Sequence, residues 1–121
     1  MRRLCLSLAF LACAISAAQA AHPVRGKCVL QVKGVSYIDG PCDIYLEKDG
    51  NFQIHTIKGR LYFADVSLDR DAPGTADGFW NGTVPGADHA HTHLGTLTRQ
   101  DGCWVNEQAK ICAWRGGKLQ R

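Results

Sequence analysis

Six cysteines in a chain of 121 residues constrain the fold more than any other feature, because two leave with a leader and four stay. Arg2 and Arg3 precede an apolar run from Leu4 to about Ala18, and Ala18-Gln19-Ala20 supplies the small-x-small pattern that signal peptidase reads. Residues 1–20 therefore read as a signal peptide that removes Cys5 and Cys13. Residues 21–121 read as a single exported β domain of 101 residues, 121 less 20. Two other export readings fit less well. Phe10-Leu11-Ala12-Cys13 has the outline of a lipobox, but its apolar lead is short and Phe10 stands where Leu is preferred. Arg2-Arg3 suggests twin-arginine export, which Leu4-Cys5-Leu6 does not match. General secretion is expected, with a periplasmic or secreted product. The leader is shorter than the roughly 20 apolar residues that cross a bilayer, and no later run is longer, so no transmembrane segment is expected.

Cys28, Cys42, Cys103 and Cys112 remain, an even number in an exported chain, which predicts two disulfides. A Cys₄ zinc site draws ligands from pairs two to four residues apart, whereas these pairs enclose thirteen and eight residues. Three pairings are possible, and local geometry favours one. If Cys103 and Cys112 oppose each other in an antiparallel hairpin, Trp104 faces Ile111, Val105 faces Lys110, and Asn106-Glu107-Gln108-Ala109 forms a four-residue loop. Cys28–Cys42 is then the second bridge.

Period-two alternation fills the space between these cysteines. Cys28, Leu30 and Val32 point one way while Lys27, Gln31 and Lys33 point the other. Gly34 interrupts, Val35 to Ile38 forms a short run, and Asp39-Gly40-Pro41 reads as a turn before Cys42, Ile44 and Leu46 alternate again. Lys48-Asp49-Gly50-Asn51 is a strong hairpin signal leading to Phe52 and Ile54, since Asp-Gly tolerates positive φ. A turn at Lys58-Gly59 precedes a strand over Leu61 to Leu68. Leu68 to Gly78, with three aspartates, Pro73 and two glycines, reads as a long irregular connection before Phe79-Trp80. Asn81-Gly82 and Pro85-Gly86 mark further turns, Thr92 to Arg99 is strand-like, and the basic end from Arg115 to Arg121 is expected to fray. Eight or nine short strands at such spacing predict an all-β domain, a small antiparallel barrel or sandwich stapled by two disulfides.

Charge narrows the function classes. Removing Arg2 and Arg3 leaves twelve basic against eleven acidic residues, net +1, too even for the basic stripe that neutralises phosphates, so no nucleic-acid partner is expected. Mature serines number only Ser36 and Ser67, neither in a nucleophile elbow, and no metalloprotease, P-loop or dinucleotide fingerprint occurs. Asp39, Asp43 and Glu47 could pair carboxylates for acid/base work, but such residues more often solvate a strand edge. A non-catalytic protein is expected.

Two features point to binding. In Asp88-His89-Ala90-His91-Thr92-His93, three histidines fall at alternate positions. On one strand face, successive Cα atoms would stand about 6.5 to 7 Å apart, close enough for neighbouring imidazoles to share Zn²⁺ or Cu²⁺. His22, beside the new amino terminus, is a further candidate ligand; the alternative is plain decoration of a polar surface. Trp80, Trp104 and Trp114 concentrate in the second half. In the expected hairpin Trp104, Ile111 and Ala113 share one face, and Cys103, Val105, Cys112 and Trp114 share the other. Two apolar faces mean burial on both sides or an exposed patch, with Trp104 and Trp114 as anchors for a protein or envelope component. Asn81-Gly82-Thr83 also matches a glycosylation sequon.

The plan is similar to that of small exported bacterial β-proteins, among them periplasmic inhibitors of host lysozyme. The likeness lies in the leader, the disulfide-tied β domain and Phe79-Trp80-Asn81-Gly82. The Ser-Gly-x-x-Tyr segment of those inhibitors is replaced by Lys58-Gly59-Arg60-Leu61-Tyr62, so neither membership nor any inhibitory residue is inferred. The expectation is a binding module with an inhibitor-like plan, and metal binding through His89, His91 and His93 is the alternative.

Overall fold

A computed structural model describes residues 22–116. The leader assigned to residues 1–20 and the tail beyond Gly116 lie outside the described residues. Eight strands follow in order: β1 Val24–Val32, β2 Val35–Leu46, β3 Phe52–Thr56, β4 Phe63–Leu68, β5 Thr75–Trp80, β6 Thr92–Gln100, β7 Cys103–Val105 and β8 Ala109–Arg115. Each pairs antiparallel with its successor, and β1 pairs with β8, so the sheet closes into a barrel. Among the described residues no helix is long and apolar enough to cross a membrane.

The alternation explains the closure. Leu30, Ile44, Ile54, Val66, Leu97 and Ile111 come from six different strands, and none is more than 1% exposed. They fill the interior, while the intervening polar residues face outward. Space inside is tight: a β-carbon at Gly78 would lie 2.6 Å from Leu97 Cδ1.

Both expected disulfides form, on opposite sides of the wall. Cys28–Cys42 runs diagonally across β1 and β2, where Cys28 opposes Gly40 and Cys42 opposes Gly26, and both cysteines belong to the interior cluster. Cys103–Cys112 joins directly opposed residues, 4.1 Å between Cα atoms, in the register expected from the loop length. Because Trp104 and Ile111 point inward, that second bridge lies on the outer face.

The chain turns at the interruption expected at Gly34, but the further turn expected at Asp39-Gly40-Pro41 does not form. β2 runs through those residues, and Lys33-Gly34, with φ of 52° and 80°, makes the β1–β2 hairpin. Two successive positive φ values suit the two-residue turn whose twist matches its flanking strands. Pro41 is tolerated within β2 because pairing to β3 begins only at Cys42, leaving its missing N–H without a ladder partner to lose. The connection expected over Leu68 to Gly78 is also shorter, since β5 begins at Thr75. Among the described residues the longest irregular segment runs instead from Asn81 to His91. Arg115, expected in a fraying tail, is the last residue of β8 and pairs with Gly26.

A bulge in β6 sets the site's residues on the inner face. Pairing to β5 slips between Gly78 and Phe79, and Gly95 has φ of 93°. Asn106 Nδ2 and Gln108 Nε2 donate to the Leu94 carbonyl at 2.8 and 2.7 Å, so the disturbed ladder keeps its hydrogen bonds. After the bulge, Leu97 and Arg99 carry the inward direction to the strand's end.

Candidate functional site

One end of the barrel gathers the start of β1, the end of β8, and the turns after β2, β4 and β6. A cavity of about 310 Å³ opens there. Its wall comes from inner-face residues at strand ends. Leu46 follows Ile44 by two on β2, Phe52 precedes Ile54 by two on β3, and Leu68 follows Val66 by two on β4. Trp104 contributes from β7 and Ala113 from β8. Leu46 is 44% exposed, so part of this apolar wall faces water.

Two cations share that lining. Arg99 sits two residues beyond Leu97, and Arg115 two beyond Ala113, so strand parity carries both toward the opening. Arg99 is opposite Trp104 across the β6–β7 ladder, and its guanidinium carbon lies 6.0 Å from the indole ring centroid. That is the outer limit of a cation–π contact. Arg99 Nε donates to the Asp101 carbonyl at 3.4 Å. Among the described residues the ion pairs include neither Arg99 nor Arg115. Asp101 is the single carboxylate in the lining.

The two tryptophans expected as anchors therefore have different places. Trp104, 8% exposed, belongs to the interior and forms part of the cavity wall. Trp114 is half-buried on the outer face and packs against Gly102, where any β-carbon would overlap the indole. It braces the β6–β7 turn, which holds Asp101 at the rim. Arg99 and Arg115 had gone unnoticed in the sequence. The alternation Ala109, Ile111, Ala113, Arg115 was the available signal, because it ends by directing a charge to the apolar side.

Aromatic rings pack together at the opposite end. Tyr37 lies 4.7 Å from Trp80 and 5.1 Å from Tyr62, centroid to centroid, and Arg60 stands 5.0 Å above the Tyr62 ring. Tyr37 and Trp80 also line a space of about 510 Å³, with Val32, Val35 and Leu94 on its apolar side and Lys33, Thr83, Thr92, His93 and Gln108 on its polar side. Asn81 ties the long loop down: its Oδ1 accepts from Phe63 N–H at 3.0 Å, and its Nδ2 donates to the carbonyls of Leu61 and Ala87. At 6% exposure and with its amide nitrogen engaged, Asn81 is a structural residue despite standing in a sequon.

The histidines do not form the single strand face anticipated for them. β6 starts at Thr92, so His89 and His91 lie in the loop and only His93 is in a strand. The His89 and His91 rings are 5.1 Å apart, whereas His93 stacks on Phe79 at 4.7 Å and places Nε2 3.3 Å from Asp77 Oδ1. Among the described residues no three metal-ligating side chains converge. His22 is exposed, ahead of β1.

A cross-strand row occupies the outer face: Tyr45, Gln53, Asp65, Phe79 and His93 oppose one another in turn from β2 to β6. Within it Asp65 Oδ1 is buried without a hydrogen-bond partner. Burial, with the Glu47 charge adding to it, raises the Asp65 pKa above its ordinary value. In the adjoining row His55 stacks on Phe63 at 5.1 Å, and burial lowers its pKa against the opposing pull of Asp43. Asp43 itself pairs with Arg25 at 3.1 Å, and Asp39 and Glu47 are exposed, so these carboxylates stand on the solvated outer side of the barrel. No protein family, no curated protein and no solved structure matches the chain.

Proposed function

We propose that the protein is a non-catalytic binding module of the periplasm or cell exterior, and that it takes an envelope component into the open end of the barrel. The observation that carries this is the cavity of about 310 Å³ walled by Leu46, Phe52, Leu68 and Trp104. Pockets that hold small ligands are concave, mostly apolar and supplied with a few polar groups, and barrel mouths are a common place for them. Two disulfides, typical of proteins in oxidising compartments, support the location. Titration of the disulfide-bonded protein with the neutral fluorophore N-phenyl-1-naphthylamine tests the site. Wild type should bind saturably, and Ala113→Trp, which fills the opening, should abolish binding with its thermal unfolding intact. Equal binding by both proteins would place the fluorophore elsewhere and remove the mouth from consideration.

A second reading is favoured by one observation, the 5.1 Å approach of the His89 and His91 rings. Two neutral imidazoles at that separation can hold Cu²⁺ or Zn²⁺, with His93 or His22 as a third ligand after movement of the loop. Calorimetry with either ion should show one site that His89→Ala/His91→Ala eliminates. Affinity no better than millimolar, or heat unchanged in that variant, would leave these histidines as surface residues.

A further inference from the structure

We infer that the ligand of the barrel mouth is a single-chain anionic amphiphile, a carboxylate or phosphate head on a short hydrocarbon tail; this rests on the assignment of the mouth as the binding site. The apolar wall and the two guanidinium groups occupy one cavity, and no carboxylate pairs with either arginine among the described residues. An apolar guest alone would bury hydrocarbon yet do nothing for Arg99 and Arg115. A hydrophilic anion alone would reach the arginines and leave Leu46 and Phe52 in water. An amphiphile with its charge at the rim satisfies both halves.

Placement along the strands fixes the orientation. Arg115 ends β8 two residues beyond Ala113, and Arg99 lies next to the end of β6 two residues beyond Leu97, on the same inner face. The head would therefore stay at the rim while the tail points toward the Leu97 and Ile111 layer. Guanidinium presents a planar fork of donors that matches two oxygens of a carboxylate or phosphate, which an ammonium does not. Asp101 at the same rim repels a second negative charge and favours a head of low charge. The neighbouring turns carry two cations, Lys48 and Arg70, against Glu47, Asp49, Asp69 and Asp71, with Arg70 paired to Asp49 at 2.9 Å; none of these lines the cavity, where Arg99 and Arg115 face the single carboxylate of Asp101. A volume of about 310 Å³ lies at the lower end of ligand pockets, which suits one short chain and excludes a two-chain lipid.

Isothermal titration of the disulfide-bonded protein with octanoate, octyl phosphate, 1-octanol and octylamine, all below micelle formation, tests the inference. Octanoate and octyl phosphate should bind one per chain, with octylamine weaker by about tenfold or more, as expected for a charge-assisted hydrogen bond lost and a like charge gained. From hexanoate to octanoate, affinity should rise about fourfold per methylene. Arg99→Gln/Arg115→Gln should bring octanoate down to the level of 1-octanol, and Arg99→Lys/Arg115→Lys should restore part of the difference. If wild type binds octanoate, 1-octanol and octylamine equally and Ala113→Trp blocks all three, the mouth is the site but the anionic head is wrong. If none of the four binds, or Ala113→Trp changes nothing, the assignment of the mouth fails as well. Binding to phosphatidylglycerol vesicles without binding to monomeric octanoate would also overturn the inference, because it would place the contact on a lipid surface. The wild-type comparison of head groups stands even if a variant does not fold.

Discussion

Replacing each disulfide by two alanines should separate the inner bridge from the outer one. Sequence separations of 14 and 9 give loop-entropy contributions of about 3.0 and about 2.7 kcal/mol, so the tether alone distinguishes them by only a few tenths. Position supplies the rest. All four cysteines are buried, Cys103 at 8% and the others at 0% exposure, but only Cys28 and Cys42 belong to the interior cluster, so Cys28→Ala/Cys42→Ala also removes two sulfur atoms from a packed core. A closed ring of strands cannot collapse onto the space, and each lost methylene-sized group costs about 0.8 kcal/mol or more once a cavity is left. We expect a loss of about 5 kcal/mol for the inner variant. Val29, Val105 and Trp114, half-buried on the outer face near the second bridge, can settle into the gap there, so the loss should stay near about 3 kcal/mol. Equilibrium urea unfolding at neutral pH reads both values. Cys28→Val/Cys42→Ala restores volume without the bond and should recover much of the excess while leaving the tether's loss. An outer variant as destabilised as the inner one, or no recovery with valine, would refute the placement of Cys28–Cys42 inside the barrel.

Asp65→Asn should stabilise the fold at pH 7 by less than about 1 kcal/mol, since the group is half open to solvent. Its native pKa is raised, so the folded state holds the proton to higher pH and stability falls as pH rises from about 3.8 through the native value; the advantage of the amide variant should therefore vanish in acid, and an advantage constant with pH would exclude ionisation as its cause. His55 has the opposite sign. With its native pKa below 6.5, the unfolded chain takes the proton first, so wild type should lose stability as pH falls below about 6.5 and His55→Gln should flatten that part of the chemical-denaturation profile; an unchanged slope would refute it. Asn81→Ala strands one N–H and two carbonyls and should cost about 1 to 3 kcal/mol by thermal or urea unfolding, whereas a surface role for Asn81 would make the change neutral.

Local spacing made the most legible parts of the fold. The Cys103–Cys112 hairpin followed from eight intervening residues and the need for directly opposed β-carbons, and the Lys48 to Asn51 turn from Asp-Gly. Gly34 marked the β1–β2 turn, whereas Asp39-Gly40-Pro41, the stronger local punctuation, marked a turn that does not form. What decides that region is the continuous pairing of β2 with β1, a nonlocal fact. The same limit hid the mouth. Leu46, Phe52, Arg99 and Arg115 lie far apart in sequence, and only barrel closure with the bulge at Gly95 brings them to one opening. Trp104 could be assigned to an apolar face from alternation, but not to the inside of a ring. The histidine spacing suggested a strand that begins too late to hold His89 and His91.

Pairing of β1 with β8 also sets the order in which this protein can be made. A chain made amino terminus first presents β1 and β2 early, so Cys28 and Cys42 come within reach of each other before the later strands exist. The last seam cannot form until Ala109–Arg115 has emerged, because no earlier strand takes its place beside β1. Until then β1 exposes an unsatisfied edge to any neighbouring chain. Oxidation of Cys103 and Cys112, which holds β8 to β7 directly before that seam, shortens the interval in which the edge is open. In the finished barrel the start of β1 lies beside the end of β8, with Gly26 opposite Arg115, so a short linker joining Val24 to Arg115 and new termini in the Lys48 to Asn51 turn would give a permuted chain with the same barrel.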